Sequence, residues 1–282
     1  MATIKLHPLN AQPIRQLIIL AAGVLALLAS CNKEENSNFT DTPIVEAYLL
    51  PGTDLTVKVS RQVPFSTTVT YSADEIDQIG MELNYGDNTV IMTPSGDGIY
   101  TAPGISMAEG DTFSLKFDFN EKTVKAFTYI PSKPDSMTQS VTKIYLSKID
   151  STSGFPGMGE MPEPVEISWS NPDNSYYLII IENTSTDPEP IRELDDDEDR
   201  PAFVFRKAPT SNNRESLRPM EFEYFGLHRI ILFHVLPDYA ALYEQNSSSS
   251  LNLTNPSTSI SNGYGIFTGL SSDTLYLEVK KN

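Results

Sequence analysis

Apolar and polar residues alternate along several stretches in the first half of the chain, and this period of two constrains the fold more than any other feature. Leu55, Val57 and Val59 are separated by polar side chains, and the same alternation recurs over residues 113–119 and 124–128. Successive side chains of a β-strand point to opposite faces, so such a segment buries one face and exposes the other. This arrangement is typical of antiparallel sheets with one solvated face.

Turn-forming residues separate the alternating stretches. Residues 51–52, 85–88 and 96–98 combine Gly with Pro, Asp or Asn, which are the residues that tight turns prefer. About seven short strands at this spacing predict an immunoglobulin-like β-sandwich over residues 43–133.

The second half has the pattern of another β-sandwich, which begins after a proline-containing break at residues 131–134. A strand over residues 165–169 ends in Trp169, a Pro/Asn turn follows, and a Tyr-led apolar strand covers residues 176–181. This succession resembles the second and third strands of a fibronectin type III domain, in which the Trp is the centre of the core. Residues 138–282 are therefore expected to form a fibronectin type III-like sandwich.

A short helix is predicted as an insertion in the second sandwich. Residues 228–236 favour a buried strand, and the segment that follows starts with Pro237 and places Tyr239, Leu242 and Tyr243 on one helical face. The expected fold class is thus all-β, with an immunoglobulin-like sandwich followed by a fibronectin type III-like one that carries this helix.

The N-terminus has the pattern of a lipoprotein signal. A positively charged leader and an apolar run end in Leu-Ala-Ser-Cys at residues 28–31, the pattern of a bacterial lipobox, in which a lipid is attached to the thiol. Residues 1–30 are therefore predicted to be a cleaved lipoprotein signal peptide, and residues 31–42 a flexible tether. A diacyl or triacyl group on Cys31, palmitate included, supplies the two or more chains that stable membrane attachment requires.

Two other interpretations of this N-terminus stay open. One is a plain secretory signal with an incidental cysteine. The other is an uncleaved membrane anchor, although an apolar run of about a dozen residues is shorter than the ~20 that span a bilayer.

The polar stretch behind Cys31 indicates where the lipoprotein is sent. Lys33, Glu34 and Glu35 resemble the acidic export signal that follows the lipidated cysteine in surface lipoproteins of Bacteroidota. The resemblance implies a lipid-anchored protein of the outer membrane that faces the cell exterior. An ordinary polar tether is the alternative.

The charge balance excludes several partners. The chain has 20 basic and 37 acidic residues, a net charge of −17. Removing residues 1–30 takes away Lys5 and Arg15, which leaves 18 basic residues and a net charge of −19. Such a chain has no basic patch for nucleic acid and is repelled by anionic lipid. The expected membrane contact is the lipid on Cys31, and a single cysteine allows no internal disulfide.

The order of several motifs resembles one known family. Residues 43–48 open the folded part, a buried strand and a Tyr-rich helix come late, and residues 262–267 lie near the end. Together they resemble a Bacteroidota cell-envelope lipoprotein family of unknown function, which has these two types of domain and is often encoded beside TonB-dependent receptors. The resemblance implies a TonB-dependent receptor as a partner and carries over no catalytic residues.

Three short triplets match the O-glycosylation motif described for proteins of this phylum. Their hydroxyl residues, and thus the expected acceptors, are Ser136, Ser151 and Thr274, each preceded by an aspartate. A motif of this length also recurs by chance.

The sequence has no recognisable catalytic motif, and we expect neither an enzyme nor a cofactor. It lacks a Gly-x-Ser-x-Gly elbow, a His-Glu-x-x-His zinc motif and a phosphate-binding glycine loop. His228 and His234 are six residues apart on one strand, about 20 Å, so a structural role is expected for both rather than a shared metal. The acidic stretch Glu193–Asp199 is expected to be a solvated loop, with a calcium site as the alternative.

These observations favour a non-enzymatic lipoprotein that binds a partner or ligand as an accessory to a TonB-dependent transporter. The alternative is an adhesin or a fimbria-associated structural subunit, because immunoglobulin-like sandwiches serve in such proteins as well. Both functions are inferred by analogy with proteins of similar fold.

Overall fold

The structure is a computed structural model that describes residues 41–62, 74–149, 162–193, 204–246 and 258–282. These residues belong to one compact unit, Asp41–Asn282. They are almost entirely β-structure, which confirms the predicted fold class. Two hydrophobic cores, each enclosed by a pair of sheets, divide the unit into two sandwiches.

The first sandwich has the strand order of an immunoglobulin domain. One sheet runs in the order β5-β6-β2-β1 and the other in the order β4-β3-β7-β8, with a one-turn helix α1 before β3. This is the A-B-E-D arrangement opposite a C-F-G sheet that is widened by one strand. The elements are β1 (Pro43–Leu49), β2 (Leu55–Arg61), α1 (Asp74–Asp77), β3 (Glu82–Tyr85), β4 (Asn88–Ile91), β5 (Thr93–Gly96), β6 (Ile99–Ala102), β7 (Thr112–Phe119) and β8 (Lys122–Tyr129).

The alternation in the sequence predicts which side chains enter this core. Val57 and Val59 of β2 are fully buried against Phe113 and Phe117 of β7, from the opposite sheet. The polar residues between them point to the other face of each strand. Burying several such side chains, each worth ~1.5–3 kcal/mol, supplies most of the stabilisation of a sandwich without disulfides.

The second sandwich has sheets in the orders β9-β11-β14 and β13-β12-β15-β16, with β10 beside the far end of β16. Consecutive strands β11 and β12 lie in opposite sheets, as the B and C strands of immunoglobulin-like folds do. The elements are β9 (Asp135–Gln139), β10 (Lys143–Leu146), β11 (Val165–Ser170), β12 (Tyr176–Asn183), β13 (Val204–Arg206), β14 (Arg214–Leu217), a short 3₁₀ turn (Pro219–Glu221), β15 (Gly226–Val235), α2 (Pro237–Asn246) and β16 (Tyr264–Lys281).

Trp169 lies in the core of this second sandwich, as its position before the Pro/Asn turn predicts. Its side chain is 4% exposed, and its ring lies 5.6 Å from that of Tyr177 on the facing sheet. Tyr177 in turn stacks on His234 at 4.7 Å. The helix α2 is likewise present where the sequence predicts one.

The structure differs from the predicted segment boundaries at the C-terminus. Residues 138–282 are not confined to the second sandwich, because Ile260 and Phe267 are buried in the core of the first. The strand β16 is 18 residues long and belongs to both sandwiches. Residues 264–269 pair in parallel with β1, and residues 270–279 pair antiparallel with β15. The partner of a strand does not follow from the pattern of its own residues, so the sequence carries no information on which sheet this segment joins.

The junction between the sandwiches is hydrogen-bonded and packed. The carbonyl oxygen of Ser132 accepts hydrogen bonds from His234 Nδ1 at 2.8 Å and from Ser271 Oγ at 2.6 Å. A second contact joins the two sandwiches: Tyr239 of α2 packs edge-on against Tyr48 of β1, with ring centroids 6.0 Å apart. The part of the chain that the structure describes contains no helix long and apolar enough to cross a membrane.

Candidate binding face

The residues singled out from the sequence do not converge on one site. Cys31, Lys33, Glu34, Glu35 and Ser151 lie outside the residues that the structure describes. The two described glycosylation candidates differ in exposure: Ser136 is exposed on β9, with φ of 57°, whereas Thr274 is half-buried in the middle of β16.

An open surface with mixed chemistry lies on the outer face of the second sandwich. Glu182 on β12 pairs with Val204 on β13 and with Arg229 on β15, and Arg229 pairs with Tyr276 on β16. Paired residues project from the same side of a sheet, so these four side chains form one row across four strands. Leu227 lies one level further along β15. We call this row together with Leu227 the distal face.

The distal face combines exposed apolar groups with a central ion pair. The exposed fractions are 45% for Val204, 43% for Leu227 and 54% for Tyr276. Between them Arg229 Nε donates to Glu182 Oε2 at 3.1 Å, and the guanidinium makes a second bond to the same oxygen. The charges neutralise each other, and both side chains remain partly accessible to solvent.

A cleft of about 820 Å³ opens over this row. Besides the distal face it is lined by residues 183–186. Thr184, Ser185 and Thr186 carry hydroxyl groups, whereas the Asn183 side chain is buried on the opposite side of the sheet. An exposed aromatic ring, aliphatic side chains and hydroxyl groups meet here, which makes this surface the candidate binding site.

Helix α2 covers the remainder of the same sheet face, and this defines where the open part ends. Leu178, Val235 and Leu270 are buried beneath the helix together with Tyr239. Burial and a hydrogen bond to Tyr243 raise the pKa of Tyr239 above its ordinary value. Only the half of the sheet beyond the helix is therefore available to a ligand.

A buried polar network supports the distal face from the opposite side of the sheet. Asn183 Nδ2 donates to the Phe225 carbonyl oxygen at 3.0 Å and lies 3.2 Å from His228 Nε2. His228 Nδ1 lies 3.2 Å from the Gly226 carbonyl oxygen. These contacts suit a neutral imidazole that donates through Nδ1 and accepts at Nε2. Burial lowers the pKa of His228 to about 4, and the bond to Gly226 opposes the shift.

Both histidines are buried and hydrogen-bonded, as expected for structural residues. Within the described ranges, no group of three or more His, Cys, Asp or Glu residues is placed to hold a metal ion. Of the acidic stretch, Glu193 is exposed and residues 194–199 lie outside the description.

Sequence reasoning did not find the distal face. Its members come from four strands that are far apart in the chain, and each is separately an ordinary surface residue of an alternating strand. The exposed apolar side chains Val204, Leu227 and Tyr276 carry no local signal that sets them apart from core residues. Strand register is needed to bring them together.

Comparisons with known proteins add little beyond this description. No protein-family profile and no curated protein matches the chain in sequence. Three solved structures that align with it are domains FN1–FN3 of chicken CNTN1, domains A168–A170 of titin, and a chimeric titin Z1Z2 functionalised with a KLER peptide from decorin. Their identities are 14%, 8% and 10%, and their TM-scores are 0.26, 0.21 and 0.19.

The alignments cover 86%, 85% and 86% of this chain and 66%, 66% and 98% of the respective structures. The chain thus spans slightly less than two thirds of the length of the first two. The assignment of the fold rests on the strand order and on the two cores described above.

Proposed function

We propose that this protein is a non-enzymatic, lipid-anchored lipoprotein of the outer membrane that faces the cell exterior and binds a partner through its distal face. The partner is a TonB-dependent transporter, to which the protein is an accessory. The lipobox at Cys31 and the acidic segment behind it support the location. The distal face supports the binding role.

One observation carries the proposal: the chain enters the folded unit at one end of β16 and the distal face lies towards the other end. Ile44, at the start of β1, pairs with Tyr264 at the start of β16. Tyr276 lies twelve residues further along the same strand, which is about 40 Å at the usual rise of a strand. A tether attached at the first end therefore leaves the distal face near the other end of the strand.

The entry point is itself held in place. The Arg61 side chain, which is 10% exposed, donates to the carboxylates of Asp41 and Glu75. Asn120 Nδ2 donates to the Asp41 carbonyl oxygen at 3.3 Å. The chain between Cys31 and Asp41 reaches at most about 35 Å. A lipid on Cys31 therefore keeps this end of the protein near the membrane.

The proposal is tested by recovering partners from outer membranes. Tagged full-length protein, solubilised in mild detergent, is expected to recover a TonB-dependent receptor. Tyr276→Ser is expected to reduce the recovery roughly thirtyfold, because an exposed aromatic anchor at an interface contributes about 2 kcal/mol. Phe127→Ser is the matched control, since Phe127 is an equally accessible aromatic on β8 of the first sandwich.

The outcomes separate the parts of the proposal. If the unchanged protein recovers no receptor, the partnership is wrong. Equal recovery by Tyr276→Ser and the unchanged protein assigns the contact to another surface. Polymeric ladders of the protein on gels, or loss of cell attachment on its deletion, favour the adhesin or fimbrial subunit instead.

A further inference from the structure

The C-terminal segment 258–269 occupies the side of the first sandwich between its first and last strands. On one side, residues 264–269 form a parallel ladder with residues 44–49 of β1. On the other side, Ser261 and Lys125 of β8 exchange both backbone hydrogen bonds, at 3.2 Å and 2.8 Å. β1 and β8 belong to opposite sheets of this sandwich, so the segment joins the two sheets at their open edge.

Side chains of this segment complete the first core. Ile260 is 4% exposed and Phe267 is fully buried there. Gly265, with φ of 98°, lies so close to β1 that a Cβ atom would stand 2.0 Å from the Val45 carbonyl oxygen. Gly269 N donates to Thr128 Oγ1 of β8 at 2.8 Å, in a buried position. The contacts extend over the whole segment and are those of a core strand.

The same strand continues into the second sandwich without a connecting loop. Gly269 is the last residue paired with β1, and Leu270 is the first paired with β15. Leu277 and Val279, further along, are buried in the second core. A change in the pairing of either half of β16 therefore displaces the backbone of the other half.

We infer that residues 258–269 are an intramolecular donor strand, which closes the N-terminal sandwich only after the chain has passed through the second sandwich and returned. The two sandwiches consequently fold and unfold as one cooperative unit. In a fragment of residues 43–133, the core side chains that face Ile260 and Phe267 lack their partners. The edge of β1 that pairs with residues 264–269 lacks its hydrogen-bonded neighbour. This inference does not depend on any binding partner.

The test is urea unfolding of the full mature chain, followed with one probe in each sandwich. Trp169 is the only tryptophan and reports the second core by its fluorescence. Hydrogen exchange of residues 112–129 reports β7 and β8 of the first. The variant is Leu83→Ala. Leu83 is fully buried in the first core, and its strand, β3, pairs with β4 and β7 and not with β16.

We expect Leu83→Ala to lower the midpoint of the Trp169 transition by about 1 M urea and the exchange midpoint by the same amount. Leu83→Val, a smaller truncation, shifts both midpoints together by less and serves if the alanine variant does not fold. Ile91→Ala, an exposed position on neighbouring β4, leaves both midpoints unchanged. If either Leu83 variant lowers the exchange midpoint while the Trp169 transition stays in place, the sandwiches are independent and the inference is overturned.

Discussion

The fold strongly alters the ionisation of His228. Its ring is buried behind the distal face, and the groups around it are arranged for a neutral imidazole. A proton on Nε2 would place an N–H against the Asn183 amide group, which already donates in that direction. His228 therefore binds a second ring proton much more weakly in the folded protein than in the unfolded chain.

This difference makes the stability of the protein depend on pH in a defined window. The pKa of His228 is about 4 in the folded protein and about 6.5 when unfolded. Between these values the unfolded state binds more protons, so the free energy of unfolding falls as the pH falls from 6.5 to 4. His228 lowers the free energy of unfolding by at most about 3 kcal/mol over this window. Above pH 6.5 the stability is fully retained.

The measurement compares His228→Gln with the unchanged protein by urea unfolding at several pH values. The variant is expected to lose less stability between pH 6.5 and pH 4, with the two proteins at pH 7.5 as the reference. Parallel stability curves for both proteins over this window would show that His228 does not titrate as its surroundings indicate.

At the scale of elements, the crossing of β16 from one sandwich to the other depends on Gly269, which has no side chain. A Cβ atom at Gly269 would stand 2.0 Å from the carbonyl oxygen of Tyr129. Because that oxygen belongs to the backbone, a larger residue has to displace β8 or β16. At Gly80, by contrast, nothing lies within 4 Å of the added atom.

Gly269→Ala is therefore expected to destabilise the protein by about 1–3 kcal/mol and to lower its Tm by several degrees. Gly80→Ala is the matched control and should change the stability by less than ~0.5 kcal/mol. Thermal unfolding followed by circular dichroism measures both. Equal Tm values for the two variants would contradict the close approach at the crossing.

The elements themselves were largely predictable, because strand alternation and turn residues act locally. The position of Trp169 before its turn identified the second core, and Pro237 with the Tyr-rich face identified α2. Strand pairing is not local. No property of residues 258–269 in the sequence distinguishes a strand that pairs with β15 throughout from one that first joins β1, so the predicted boundary at residue 138 assigns the whole segment to the second sandwich.

The distal face was unpredictable for the same physical reason. Val204, Glu182, Arg229 and Tyr276 meet only through the registers of β12, β13, β15 and β16. Lipid attachment, by contrast, depends on a contiguous motif, which is why the sequence is informative about Cys31 and not about the binding surface.

At the scale of the whole molecule, we propose that one end of the fold attaches the protein to the membrane and the other end binds the partner. The chain enters at Asp41, where Arg61 holds it, and the distal face lies about 40 Å further along β16. A shared strand links the two ends. Without residues 1–30 the chain has a net charge of −19 and therefore little attraction for anionic membranes. We propose that the lipid alone provides the attachment.

Membrane fractionation of Cys31→Ser after a high-salt wash tests whether the lipid alone holds the protein to the membrane. We expect the unchanged protein to stay in the outer-membrane fraction. Cys31→Ser should be released or mislocalised while keeping the Trp169 fluorescence of the folded protein. Cys31→Ser that remains fully membrane-bound after the wash would contradict the claim.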